Sequence, residues 1–117
     1  SAAASMGTAR KRLGVAALGG KIYAAGGQAG SQEPLASVEA YDPQANAWTT
    51  VAPMRTPRAG LSLVAAHGKL YAAGGNCCNT HNSVPQASAE AYDPQRDCWE
   101  LVAPMSKART LAAMSVM

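Results

Sequence analysis

The stretch Lys21-Ile22-Tyr23-Ala24-Ala25-Gly26-Gly27 returns as Lys69-Leu70-Tyr71-Ala72-Ala73-Gly74-Gly75, an offset of 48 residues. Glu39-Ala40-Tyr41-Asp42-Pro43 returns as Glu90-Ala91-Tyr92-Asp93-Pro94, an offset of 51. Trp48 is matched by Trp99, and Val51-Ala52-Pro53-Met54 by Val102-Ala103-Pro104-Met105. A period of about 50 residues marks a repeat architecture. Repeat units commonly bind along a shared face, so function is sought on surfaces and loops.

One repeat reads as four short strands. Leu13 to Leu18 is an apolar run, Gly19-Gly20 follows, and Ile22 to Ala25 is a second run. A Gly-Gly connection of this length predicts a hairpin, because primed turns need positive φ. His67-Gly68 holds the same place in the second copy. Residues 28–37 are polar and carry Gly, Ser and Pro, which predicts a loop. Val38 to Tyr41 is a third strand, stopped by the turn chemistry of Asp42-Pro43. Trp48 to Val51 is the fourth, ended by Pro53. There is no helical periodicity.

Leu13, Val15 and Ala17 alternate with Gly14, Ala16 and Leu18, so both sheet faces are apolar. Such a sheet needs cover on both sides. A further copy of the same sheet on each side is the economical solution, and that is a propeller blade. The fold class is therefore all-β: two four-stranded antiparallel blades and the first strand of a third. From Gly27 to Glu39 is 12 residues and from Gly75 to Glu90 is 15. The extra residues fall in the loop between the second and third strands, where insertion is tolerated.

A strand, a Gly-Gly doublet, a loop, Glu-x-Tyr-Asp-Pro, a spaced Trp and a closing Pro-Met, in order and twice, resemble the kelch repeat. The resemblance extends from Met6 to the end of the chain. It gives repeats at 6–56 and 57–105, the start of a third at 106–117, and an extraneous or disordered terminus at 1–5. In detail the chain is similar to the propellers of kelch-like BTB substrate adaptors of cullin-RING ubiquitin ligases. The join Ala-Pro-Met-x-x-x-Arg carries that likeness, at Ala52-Pro53-Met54 with Arg58 and at Ala103-Pro104-Met105 with Arg109. Met6 and Arg10 keep the same spacing. Propellers of that group usually have six blades, so the chain is expected to be a fragment. Copies of it could also complete a ring, although residues 109–117 would compete with 10–18 of the next copy for one position. Uncovered faces and edges in a two-blade chain are expected to favour self-association.

Composition narrows the partners. Ten Lys and Arg against seven Asp and Glu give a net charge of +3, scattered except for Arg10-Lys11-Arg12. That triplet is too short for nucleic-acid binding and reads as a solvated lead into the first strand. No run of 18 apolar residues suggests a membrane span. Residues 1–5 lack the basic and long apolar regions of a secretory signal. Three cysteines, an odd count, fit reduced thiols and a cytoplasmic location better than a disulfide scaffold.

Several motifs have a framework reading. Gly26-Gly27 and Gly74-Gly75 lack the Lys-Ser/Thr of a phosphate loop and are expected to make tight bends. Trp48, Trp99, Tyr23 and Tyr71 are expected to pack within and between blades, and Tyr41 and Tyr92 to be structural residues of the repeat. Glu39 and Glu90, on central strands of separate blades, need an Arg or backbone donors as partners. They are not read as a catalytic acid pair. Cys77, Cys78 and His81 lack the spacing and fourth ligand of a metal site; an oxidisable vicinal thiol pair is the alternative. No metal or other cofactor is expected.

The resemblance implies that Arg10, Arg58 and Arg109 lie near the channel mouth and grip acidic side chains of a partner. The competing reading is that they cap loops or pair with the framework carboxylates. Gln28, Asn76 and Asn79, in loops 28–37 and 76–88, are expected on the same face. The implied function is non-enzymatic: recruitment of a protein substrate, through an acidic segment, to a ligase whose cullin is contacted by domains absent here. Actin or cytoskeletal binding, known for other kelch proteins, is the alternative. An enzyme on a kelch-type propeller is a third, for which the sequence offers neither a ligand set nor an acid–base pair.

Overall fold

Gly19 and Gly20 have φ of 60° and 80° and connect β1 (Gly14–Leu18) to β2 (Lys21–Ala25). Two successive left-handed residues are what a type I′ hairpin turn requires. The computed structural model of the chain describes residues 10–28, 34–77, 84–85 and 88–102. β3 (Val38–Asp42) and β4 (Ala47–Val51) complete a first sheet in the order β1-β2-β3-β4, antiparallel throughout. The second sheet repeats it with β5 (Ser62–Ala66), β6 (Lys69–Ala73), β9 (Ala89–Asp93) and β10 (Cys98–Val102). The β3–β4 and β9–β10 turns are set by side chains. Asp42 Oδ1 accepts from Gln44 N at 3.0 Å, and Asp93 Oδ1 from Gln95 N at 2.9 Å.

The strands lie within a residue or two of the sequence reading. One difference is in the second long loop, read as irregular. It carries a small hairpin of β7 (Asn76–Cys77) and β8 (Val84–Pro85). Asn76 starts it because its N–H and C=O are already held extended by Ala59, at 2.9 and 3.0 Å. The strand expected over 109–117 lies outside the described residues.

Residues opposite one another across a ladder share a face. One face of the first sheet carries Tyr23, Ala25, Val38 and Ala40; one face of the second carries Leu63, Leu70, Tyr92 and Trp99. All eight are buried in a single apolar cluster. β1 lies against β5 and β6, and a Cβ on Gly14 would sit 2.8 Å from that of Leu63. The two sheets therefore meet face to face at their first strands, as successive blades do.

The doublet after each second strand turns the chain away from the sheet. Gly26 has φ +66°, and a Cβ there would lie 2.4 Å from the carbonyl oxygen of Arg58. Gly20 has φ +80° with nothing within 4 Å of such an atom. Gly26→Ala is expected to cost about 3 kcal/mol, combining left-handed strain with overpacking, against about 1 kcal/mol for Gly20→Ala. Urea denaturation of the two variants checks this; equal losses would show that the Arg58 carbonyl yields freely.

Candidate functional site

The loop ends of each blade are held by one arginine. Arg58 donates from Nη1 to the carbonyls of Gly74 at 3.1 Å and Ser88 at 2.9 Å. Its Nη2 reaches Ser88 Oγ at 2.9 Å and Glu90 Oε2 at 3.1 Å, and Nε reaches the same carboxylate oxygen at 3.3 Å. Glu90 also accepts from the backbone N–H groups of Arg55 at 2.6 Å and Thr56 at 3.0 Å. Both side chains are fully buried. An isolated buried charge is costly, so this density of partners is what permits the pair to be there.

The first blade repeats the arrangement. Arg10 donates from Nη1 to the carbonyls of Gly26 at 2.9 Å and Ser37 at 2.8 Å, and from Nη2 to Ser37 Oγ at 3.1 Å and Glu39 Oε2 at 2.9 Å. Its Nε is buried without a hydrogen-bond partner, so this guanidinium makes one bond fewer than that of Arg58. In both blades the arginine joins the residues where the long loop leaves and re-enters the sheet. Gly26 and Ser37 bracket one loop, Gly74 and Ser88 the other.

This corrects one expectation. Arg10 and Arg58 do not present their guanidinium groups to a partner; the side chains are 1% and 0% exposed. Their donors are engaged inside the blade because Glu39 and Glu90 are buried on central strands and need them. Gln28 is corrected with them: it is 8% exposed, exchanges backbone bonds with Lys11, and its Oε1 accepts from Arg12 Nη1 at 3.3 Å. Asn76 is half-buried in the loop hairpin. Arg109, Asn79, Cys78 and His81 lie outside the described residues. Among the described residues no three His, Cys, Asp or Glu side chains converge on a metal-sized site.

The sequence reading takes Arg12 only as part of a solvated lead into the first strand. It is exposed and has φ 57°, left-handed for a residue with a full side chain. Its counterpart 48 residues later is Gly60, with φ 72°. The repeat thus uses glycine at this bend, and the first blade carries arginine there despite the strain. The Arg12 carbonyl accepts from Gly60 N at 2.8 Å, and its Nη2 lies against Gly60. Arg12 therefore spans the lead-ins of both blades. The Arg-versus-Gly mismatch was the available signal.

A second junction joins the blades. Ala52 donates its N–H to Asp97 Oδ1 at 2.9 Å and accepts from Trp99 Nε1 at 2.9 Å. The same Asp97 oxygen takes the Tyr92 hydroxyl at 2.7 Å. Tyr92 in turn lies 5.8 Å from Tyr23 and 5.1 Å from Trp99, ring centre to ring centre. The Ala52 N–H, then the Tyr92 hydroxyl, hold the Asp97 carboxyl below its ordinary value of 3.8. Burial first, and the bond to Asp97 second, push Tyr92 well above 10.0; burial and the Asp97 charge raise Tyr23 also.

With this geometry, similarity to known proteins becomes informative. The Kelch motif profile matches residues 9–55 and 57–106. The chain belongs to the Kelch motif family. Each matched kelch repeat contains one complete Arg–Ser–Glu clamp. Among solved structures, that described as "Structure of YjhT" superposes with a TM-score of 0.74 at 17% sequence identity. The match covers 83% of this chain and 38% of the other, so the chain spans well under half of that protein's length. At that identity the likeness concerns the fold. A search of curated proteins found no match.

Two outcomes follow. Arg58→Ala leaves Glu90 buried without its cation and is expected to cost about 3–5 kcal/mol in urea denaturation. Arg10→Ala should cost less, since its guanidinium makes one bond fewer, and equal losses would contradict that ranking. The second outcome concerns pH. Asp97's depressed value makes its contribution fully present above 3.8 and lost as pH falls through its folded value. The raised tyrosines act in the opposite sense, contributing below 10.0 and losing that contribution as pH rises. Thermal melts across pH should show both losses, and Asp97→Asn should flatten the acid limb. An unchanged acid limb would remove Asp97 from the account.

Proposed function

We propose that this chain is part of a substrate-recruiting kelch propeller of a cytoplasmic cullin-RING ubiquitin ligase adaptor, and that it receives an acidic segment of its protein partner. Kelch repeats generally form protein-interaction modules. The finer reading is supported by the resemblance of the repeat joins to those of kelch-like BTB adaptors. Ligase recruitment itself belongs to domains outside this chain.

Arg12 is the observation that carries the choice of partner chemistry. With Arg10 and Arg58 bound inside the blades, the exposed cations of the two lead-ins are Lys11, Arg12 and Arg55. Glu39 and Glu90 are buried and already bonded to Arg10 and Arg58. A rim of this kind favours carboxylates or phosphates, and an arginine fork matches either. The Arg12 guanidinium donates to Gln28 Oε1, a bond that reduces its ordering cost on binding. The clamped loops on either side can differ in length and sequence and supply selectivity.

The test is Arg12→Gly. Glycine suits φ 57°, so folding stability should be unchanged or slightly raised. Binding of an oligoglutamate peptide, measured by calorimetry at two salt concentrations, should weaken about five- to tenfold at low salt and less at high salt. Equal affinity of the two folded proteins at both salts would remove the rim from the binding site.

A further inference from the structure

Several glycines of this chain have positive φ, and what surrounds them differs. At Gly26, Gly27 and Gly75 a Cβ would lie 2.4, 2.5 and 2.7 Å from the backbone carbonyl oxygens of Arg58, Lys11 and Ala59. At Gly19, Gly20 and Gly68 it would meet nothing within 4 Å. Gly60 belongs to neither class. A Cβ there would lie 2.8 Å from Arg12 Nη2 and 3.6 Å from Arg12 Cζ and Nε. Its nearest neighbours are thus all atoms of one guanidinium, and that guanidinium comes from the other blade.

The rest of this seat is equally well defined. Gly60 donates its N–H to the Arg12 carbonyl at 2.8 Å, so the two residues are joined through backbone as well as side chain. Arg12 Nη1 donates to Gln28 Oε1 at 3.3 Å. Gln28 is buried and exchanges backbone bonds with Lys11 at 2.9 and 2.8 Å. Ala59, next to Gly60, exchanges backbone bonds with Asn76 at 3.0 and 2.9 Å. The head of Arg12 is therefore held by a first-blade amide and a second-blade glycine, each fixed at the root of a long loop. Of the equivalent positions 12 and 60, one supplies the guanidinium and the other the room for it.

We propose that Gly60 is a positioning residue: by lacking a side chain it seats the Arg12 guanidinium on the seam between the two blades, so that the partner's acidic group is received at the seam and not on the first blade alone. This rests on the reading that Arg12 meets the acidic segment. A free arginine head samples many rotamers and loses them on binding, whereas one already seated against Gly60 and Gln28 loses fewer. A methyl group at position 60 would displace the end of a long, flexible side chain. The charge would stay on the rim, and its place would be lost.

The experiment measures binding of an oligoglutamate peptide to the whole chain by calorimetry, at two salt concentrations. It compares the unaltered chain, Gly60→Ala, Arg12→Gly and the double variant. Gly60→Ala is expected to weaken binding about threefold, with the salt dependence unchanged because no charge is removed. Added to Arg12→Gly, the same substitution should have no further effect, since the group it displaces is gone. A purely structural effect of a side chain at φ +72° would weaken binding in both backgrounds. Gly60→Asn, which tolerates the left-handed conformation, takes the place of Gly60→Ala should that variant lose its β circular-dichroism signature, and should show the same non-additivity. If Arg12→Gly weakens binding and the Gly60 variant does not, the inference falls and the role of Arg12 stands. An equal loss in both backgrounds overturns it likewise. Unchanged affinity of Arg12→Gly overturns the underlying reading, and the inference with it.

Discussion

The buried pairing of Arg58 with Glu90 is the constraint on which the rest of this structure depends. A glutamate on a central strand is an unfavourable choice unless its charge is met, and here four N–H donors meet it. The planar guanidinium does what no other side chain can. It neutralises the carboxylate while satisfying two backbone carbonyls and a hydroxyl in different directions. The result joins three stretches of chain distant in sequence: the lead-in to β5, the exit from β6 and the start of β9. Repetition of the clamp as Arg10–Ser37–Glu39 makes it a property of the repeat.

The clamp also explains how the blades accommodate variation. The long loop is 3 residues longer in the second copy, and yet Gly74 and Ser88 are held as Gly26 and Ser37 are. Because the arginine closes the base of the loop, what happens beyond it does not strain the sheet. Loop-closure cost grows only slowly with length once the ends are fixed. A scaffold of this kind separates stability, carried by buried charge and apolar faces, from recognition, carried by loops and by exposed groups such as Arg12.

Between blades the logic changes from charge to apolar contact. Tyr23, Tyr92 and Trp99 make a tilted aromatic group, and Ala52 is gripped at its N–H by Asp97 in the turn before β10 and at its carbonyl by Trp99 of β10. Buried tyrosine and tryptophan need such polar outlets, and Asp97 and Ala52 provide them. A blade interface built this way is modular, since each blade carries one half of it on each face.

Much of this was legible in the chain. The doubled Tyr-Ala-Ala-Gly-Gly and Glu-Ala-Tyr-Asp-Pro segments determined the four strands of each blade, their order and the hairpins between them, because turn chemistry and alternation are local properties; the β7–β8 hairpin was not among them, since Asn76 is held extended by Ala59 of a distant segment. The same repeat announced that Glu39 and Glu90 would need a cation or backbone donors. What the sequence left open was which way Arg10 and Arg58 point, since a spacing after Met does not say whether a guanidinium faces solvent or a buried carboxylate. Only the packed blade decided that, by placing Glu90 where desolvation makes pairing imperative. The importance of Arg12 was likewise out of reach, because its role arises from a left-handed bend and from its position across Gly60 in the neighbouring blade. Local chemistry set the strands and turns. The destination of each charge was settled by burial, which exists only once distant segments have come together.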